Sequence, residues 1–197
     1  MNLEKIANKN RDRILKLSIL LIEKQGMEKF SLRNLANKLS MDPMVVYYYF
    51  SSKDDLIMSC IESVFNKELN LHEFHFQEES RVSRKKRETY KYFELKRLIE
   101  IYRNIFILYP NLCIYLINHS FNRVKKLQEF NQILVLEISK WESNLILTTQ
   151  IRDILVDYVH GFSLTALTQT KNKKLFKQEK EIEFHKTLEF LLEKLLK

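Results

Sequence analysis

The sequence predicts an all-α fold, and three observations carry that expectation. Only two glycines (Gly26, Gly161) and two prolines (Pro43, Pro110) occur in 197 residues, so the turn chemistry of hairpins and sandwiches is nearly absent. Apolar residues recur with helical spacing rather than strict alternation. Capping residues stand directly ahead of several of these runs.

The first helix is expected from about Lys9 to Gln25, on the apolar residues Ile14, Leu15, Leu17, Ile19, Leu20, Leu21 and Ile22. Gly26 follows in the usual C-terminal capping position. Ser31 is a side-chain cap for a second, short helix whose Leu32, Leu35, Ala36 and Leu39 fall at i, i+3, i+4 and i+7, stopping near Ser40. Asp42 caps a third helix, from Pro43 to about Tyr49. Proline in its first turn gives up an N–H that had no partner anyway. Ser52 and Asp55 form an S-x-x-D capping box before a fourth helix carrying Leu56, Ile57, Cys60, Ile61, Val64, Phe65 and Leu69.

Two short helices joined by a tight turn, set between longer ones, form a helix-turn-helix arrangement. The second short helix of such a unit enters the major groove. The stretch "MDPMVVYYYF" fits that role. Successive side chains on a helix fan out by about 100°, so Tyr47, Tyr48 and Tyr49 cannot all face one core. Val46 and Phe50 face inward with Leu35, Ala36 and Leu39, leaving Met44, Val45 and the tyrosines for a partner. Tyrosine hydroxyls donate to phosphate oxygens, their rings pack on sugars and thymine methyls, and Lys53 adds a positive charge one turn later.

Residues 9–65 resemble the N-terminal DNA-binding domain of the TetR family of bacterial transcriptional regulators. The match rests on Gly26, Ser31, Leu35-Ala36, and then Tyr47, Phe50, Lys53 and Leu56 in a "Y-x-x-F-x-x-K-x-x-L" run. Two positions depart from the pattern: Ser40 stands where glycine is common, and Met44 where a small or polar residue is usual. By position, the resemblance implies groove contacts for Pro43, Met44, Val45 and Tyr47, and phosphate contacts for Ser31, Tyr48, Tyr49 and Lys53. It implies a DNA-binding domain over 1–52, and over 53–197 a helical effector-binding and dimerisation domain that pairs through its last two helices. The partners implied are double-stranded DNA, a small-molecule effector and a second copy of the chain. A homodimer would read a palindromic operator, and the expected function is a ligand-responsive repressor. The alternative is a helical interaction or nucleic-acid-binding module without sequence-specific regulation.

In the remaining two thirds, helices are expected over about Glu88–Tyr109, ended by Pro110, then Ser120–Ser143, Thr149–Gln169 and Glu179–Leu196. The segment "TQTKNKKLFKQEK" (168–180) reads as a loop. Ile151, Ile154, Leu155, Tyr158, Val159, Phe162 and Ala166 make one stripe. Phe184, Leu188, Leu191, Leu192, Leu195 and Leu196 make another, and both suit either a dimer or an internal core. Aromatic or polar residues within apolar helices are the effector-pocket candidates: Tyr102, Phe106, Cys113, His119, Phe130, Trp141, Tyr158 and His160. The scarcity of charge in these helices points to an apolar or aromatic effector.

Formal net charge is +8, which favours a polyanionic partner. Its distribution is uneven, with net +3 over 1–60, −4 over 61–80 and +6 over 81–103, where "SRVSRKKRETYK" stands out. Cys60 and Cys113 are too few for a disulfide framework or a metal cluster, and suit a reducing, cytoplasmic setting. The charged N-terminus lacks the apolar segment of a secretory signal. The uncharged run 104–122 is interrupted by Pro110 and several polar residues, so no membrane span is expected. No G-x-S-x-G, P-loop, His-Glu metal helix or paired cysteine is present, so neither an enzyme, a cofactor nor a metal is expected.

Overall fold

A computed structural model describes residues 2–69, 92–119, 123–168 and 173–196. Among them are nine helices and no strand. They are α1 (Asn2–Gln25), α2 (Leu32–Leu39), α3 (Pro43–Tyr49), α4 (Lys53–Glu68), α5 (Phe93–Leu108), α6 (Pro110–Asn118), α7 (Lys125–Ser139), α8 (Leu145–Thr168) and α9 (Lys173–Leu195). No helix among the described residues is long and apolar enough to cross a membrane. The basic run at 80–91 lies outside the described residues.

The chain forms two compact units. One comprises Met1–Lys67 with Tyr109–Leu127, the other Glu68–Leu108 with Gln128–Lys197. In the first, α1 packs against α2 and α6, and α2 against α3. Ile14, Ile22, Phe30, Leu35, Ala36, Val46, Phe50, Leu56 and Cys60 form its core, and Leu39 is half-buried. Gly26 ends α1 at φ +85°, donating its N–H to Ile22 O at 2.9 Å. Glycine alone reaches that conformation without steric cost. Glu23, near the end of α1, accepts the N–H groups of Asn111 and Leu112 at 3.1 and 3.0 Å. The first turn of α6 is thus capped from another helix, because the side chain of Tyr109, at its N-cap, gives no capping hydrogen bond.

In the second unit α5 packs against α8, and α8 against α9. Leu98, Ile99, Tyr102, Ile105 and Phe106 of α5 are buried, as are Leu155 and Val159 of α8 and Phe184, Leu188 and Leu192 of α9. Those stripes of α8 and α9 therefore serve the unit's own core. The apolar residues left exposed on the same helices include Leu147, Ile154, Ile182 and Phe190. Arg103 is buried too. Its guanidinium donates to both Glu181 oxygens at 2.9 and 2.8 Å and lies 4.2 Å from the centroid of the Phe184 ring.

The expected loop at 168–180 is a correction: α8 runs to Thr168 and α9 already begins at Lys173. Lysine and glutamate are good helix formers, so a helix can begin within a polar run that has no glycine or proline. The helix expected from Ser120 to Ser143 is shorter, Lys125–Ser139. The next starts earlier than expected because Asn144 caps it, its Oδ1 accepting from Ile146 N at 2.9 Å. At the other end of the chain, α1 extends past Lys9 to Asn2.

Candidate functional site

The helix-turn-helix is assembled by local hydrogen bonds. Ser31, in extended backbone, caps α2 by accepting the N–H of Asn34 at 3.2 Å. At the other end Ser40 sits in the left-handed region at φ 54°, and Met41 N donates to Ala36 O at 3.0 Å. This six-to-one closure normally uses glycine. Serine adopts the same turn at a conformational cost. Asp42 then caps α3, its Oδ1 accepting Met44 N at 2.7 Å, with Pro43 in the first turn.

These constraints fix which residues of α3 point outward. Val46 and Phe50 are fully buried. Met44 is 72 % exposed, Tyr48 82 % and Tyr47 48 %. Pro43, Val45 and Tyr49 are half-buried, and the Tyr48 and Tyr49 rings meet edge to face at 5.2 Å. Ser31 and Lys53 are exposed, with Lys53 Nζ 5.7 Å from the centroid of the Phe30 ring. The eight residues expected at DNA thus all retain some solvent access.

The start of α4 is tied down on both sides. Ser52 Oγ accepts Asp55 N at 3.0 Å, as a capping box requires. The Asp55 carboxylate closes on Ser51 instead of Ser52, accepting Ser51 N at 2.7 Å and Ser51 Oγ at 2.9 Å. Asp54 accepts Tyr115 Oη at 2.5 Å and Arg123 Nη1 at 2.9 Å. The hydrogen bond from Tyr115, then that from Arg123, holds the Asp54 carboxyl below its usual range. Tyr115 itself is pushed up to about 12 by desolvation and by that carboxylate. Sequence reading missed this trio because 61 and 69 residues separate the partners, and no local spacing signals such a pairing.

The eight effector-pocket candidates divide. Tyr102, Phe106, Phe130 and His160 meet within the second unit. Tyr102 stacks on Phe130 at 4.8 Å, its hydroxyl lies 2.8 Å from His160 Nε2, and Phe106 lies 4.9 Å from the imidazole. Burial lowers the His160 pKa, so the neutral ring is favoured. Tyr158 belongs to a neighbouring group with Phe162 and Phe184, and donates to Phe184 O at 3.0 Å. Trp141 is exposed in the turn after α7, against Tyr92. Cys113 and His119 belong to the first unit. Cys113 is buried, with its thiol pushed up by desolvation, and His119 is exposed and stacked on Tyr115 at 3.8 Å. Among the described residues, no three His, Cys, Asp or Glu side chains are grouped to hold a metal ion.

Residues 14–60 match the family model of bacterial regulatory proteins, tetR family. The N-terminal domain is a TetR-family domain. Solved structures share the fold over nearly the whole chain. A possible TetR family transcriptional regulator from Streptomyces coelicolor A3(2) is 15 % identical, with a TM-score of 0.71 over 94 % of this chain and 98 % of that one. BioQ with its double-stranded DNA operator is 14 % identical, with a TM-score of 0.66 over 94 % and 97 %. ActR from Streptomyces coelicolor, in complex with (S)-DNPA, is 15 % identical, with a TM-score of 0.65 over 94 % and 96 %. No curated protein matches the sequence. The chain therefore has the fold of a TetR-family transcriptional regulator, and its TetR-type domain contains the helix-turn-helix described above.

Proposed function

We propose that the chain is a ligand-responsive transcriptional repressor that binds a palindromic operator as a homodimer. One observation carries this reading: Met44, Tyr47 and Tyr48 stand outward on the cap-locked second helix of a TetR-type domain, where a monomer has no use for them. Pro43, Met44, Val45 and Tyr47 are assigned to the major groove. Ser31, Tyr48, Tyr49 and Lys53 are assigned to phosphates. A two-fold axis through paired α8 and α9 helices would present two recognition helices to inverted half-sites. Effector binding would shift the population to a conformer whose helices no longer match successive grooves. BioQ, solved with an operator, and ActR, solved with a small molecule, support both partner classes through the shared fold.

The test is to incubate the purified chain with sheared genomic DNA of its source at physiological salt and to sequence what is retained. Enrichment of a few fragments sharing an inverted repeat supports the reading. Uniform, salt-sensitive retention of all fragments would replace it with charge-driven binding alone.

A further inference from the structure

The outward face of α3 carries none of the side chains that pair bidentately with a base. Pro43–Tyr49 contains no arginine, lysine, asparagine or glutamine to grip guanine or adenine, and no carboxylate to accept from cytosine. Met44 is the second residue of the helix and 72 % exposed. Residues at the N-terminal end of a recognition helix are those that reach base edges. Tyr47 and Tyr48, three and four positions on, share its side of the helix and are also exposed. Asp42, just ahead of α3, is engaged by the cap, its Oδ1 accepting Met44 N at 2.7 Å. Charge and paired donors are exposed on neighbouring elements instead, as Arg33 of α2 and Lys53 of α4.

The chemistry of the methionine narrows what it can read. A thioether offers polarizable apolar surface and no donor. Pressed on the edge of guanine or cytosine, it would dehydrate donors and acceptors without replacing their hydrogen bonds. The C5-methyl of thymine is the apolar group that the major groove displays. Burying that methyl against a thioether flanked by phenol rings needs no hydrogen bond and removes apolar surface from water on both sides.

We propose that α3 selects thymine by its C5-methyl, with Met44 as the specificity-determining contact and at least one such thymine in each half-site. This rests on the DNA-binding reading above and adds the feature of the base that the helix recognises.

The test uses the full chain and a fragment retained from genomic DNA, remade with deoxyuridine at one symmetry-related pair of thymines at a time. Deoxyuridine keeps Watson–Crick pairing and removes only the methyl. At the thymines under Met44, affinity is expected to fall about fourfold per methyl, or about fifteenfold for two half-sites. At the same positions, 5-methylcytosine should bind more tightly than cytosine by a similar factor. Met44→Ala, a change at an exposed site, should bind the thymine and deoxyuridine fragments within twofold of each other, with an unchanged helical spectrum. A fragment bound selectively but indifferent to deoxyuridine at every thymine would overturn the proposal and leave the repressor reading standing. So would a deoxyuridine effect that Met44→Ala retains in full, because another residue would then be reading the methyl. Selection of no fragment over random DNA would overturn the operator-binding reading, and methyl recognition with it.

Discussion

Ser40 shows how a single residue holds α3 in place. Its left-handed φ of 54° closes the turn between α2 and α3, a conformation that costs an L-residue roughly 1–2 kcal/mol. Glycine removes that penalty but gives the unfolded chain more freedom, worth about 0.5–1 kcal/mol in the other direction. Ser40→Gly is therefore expected to stabilise by about 0.5 kcal/mol and to raise Tm by roughly 1–2 °C, read by thermal denaturation followed by circular dichroism. A lowered Tm would mean that the serine hydroxyl contributes more than the turn costs. The roles proposed for the outward tyrosines and Lys53 divide at the same scale. Lys53→Ala should weaken binding to every duplex alike and reduce the salt slope by about one unit. Tyr47→Ala should instead cost about 1–3 kcal/mol on the specific site only. Salt titrations on specific and random duplexes separate the two patterns.

Helices in this chain are joined by side chains that reach from one element to the end of another. Glu23 of α1 caps α6, and because burial raises its pKa, ionising it opposes folding while its two N–H donors favour it. Glu23→Ala should cost about 1–2 kcal/mol, as removal of an N-cap does, measured by urea denaturation. Asp54 has the opposite sign. Its folded pKa is depressed, so its contribution is present above the unfolded value of about 3.9 and is lost as pH falls through the folded value. Tyr115→Phe removes the leading cause of that shift and should move the Asp54 carboxyl upward in an NMR titration. The effect on stability stays near 0.5 kcal/mol because the carboxylate is largely solvent-exposed. The contrast between these contacts and the local caps explains what the sequence made legible. Gly26, Ser31, Asp42 and Ser52 act within four residues, and their spacing marked the end of α1 and the starts of α2 to α4. Glu23 with Asn111, Asp54 with Tyr115 and Arg103 with Glu181 act across 61 to 88 residues, where periodicity has no reach. The polar start of α9 was missed for a different reason: charge and lack of apolar pattern resemble a loop, but helix propensity does not depend on having a buried face.

At the scale of the whole molecule, the apolar residues that the chain leaves uncovered decide how two copies could pair. Leu155, Val159, Phe184, Leu188 and Leu192 are consumed by the second unit's own packing, so a dimer through α8 and α9 cannot use them. Leu147 and Ile154, seven apart on α8, remain exposed, and so do Ile182 and Phe190 on α9. Helical spacing keeps residues seven apart on one face. An isologous pairing of these two helices with their copies would bury such residues twice over, which is the form a two-fold interface takes. A charge placed there would be buried without a partner, whereas the same change leaves the monomer's core untouched. Ile182→Asp with Phe190→Asp is thus expected to yield a folded monomer, seen as a halved mass in sedimentation equilibrium with an unchanged helical spectrum. The monomer should keep its affinity for a single half-site and lose at least a hundredfold on the inverted repeat, because linkage of two sites contributes about 10²–10⁴ in avidity. A variant that stays dimeric would move the interface off α8 and α9. A monomer that still binds the full repeat at parental affinity would remove two-fold reading from the mechanism.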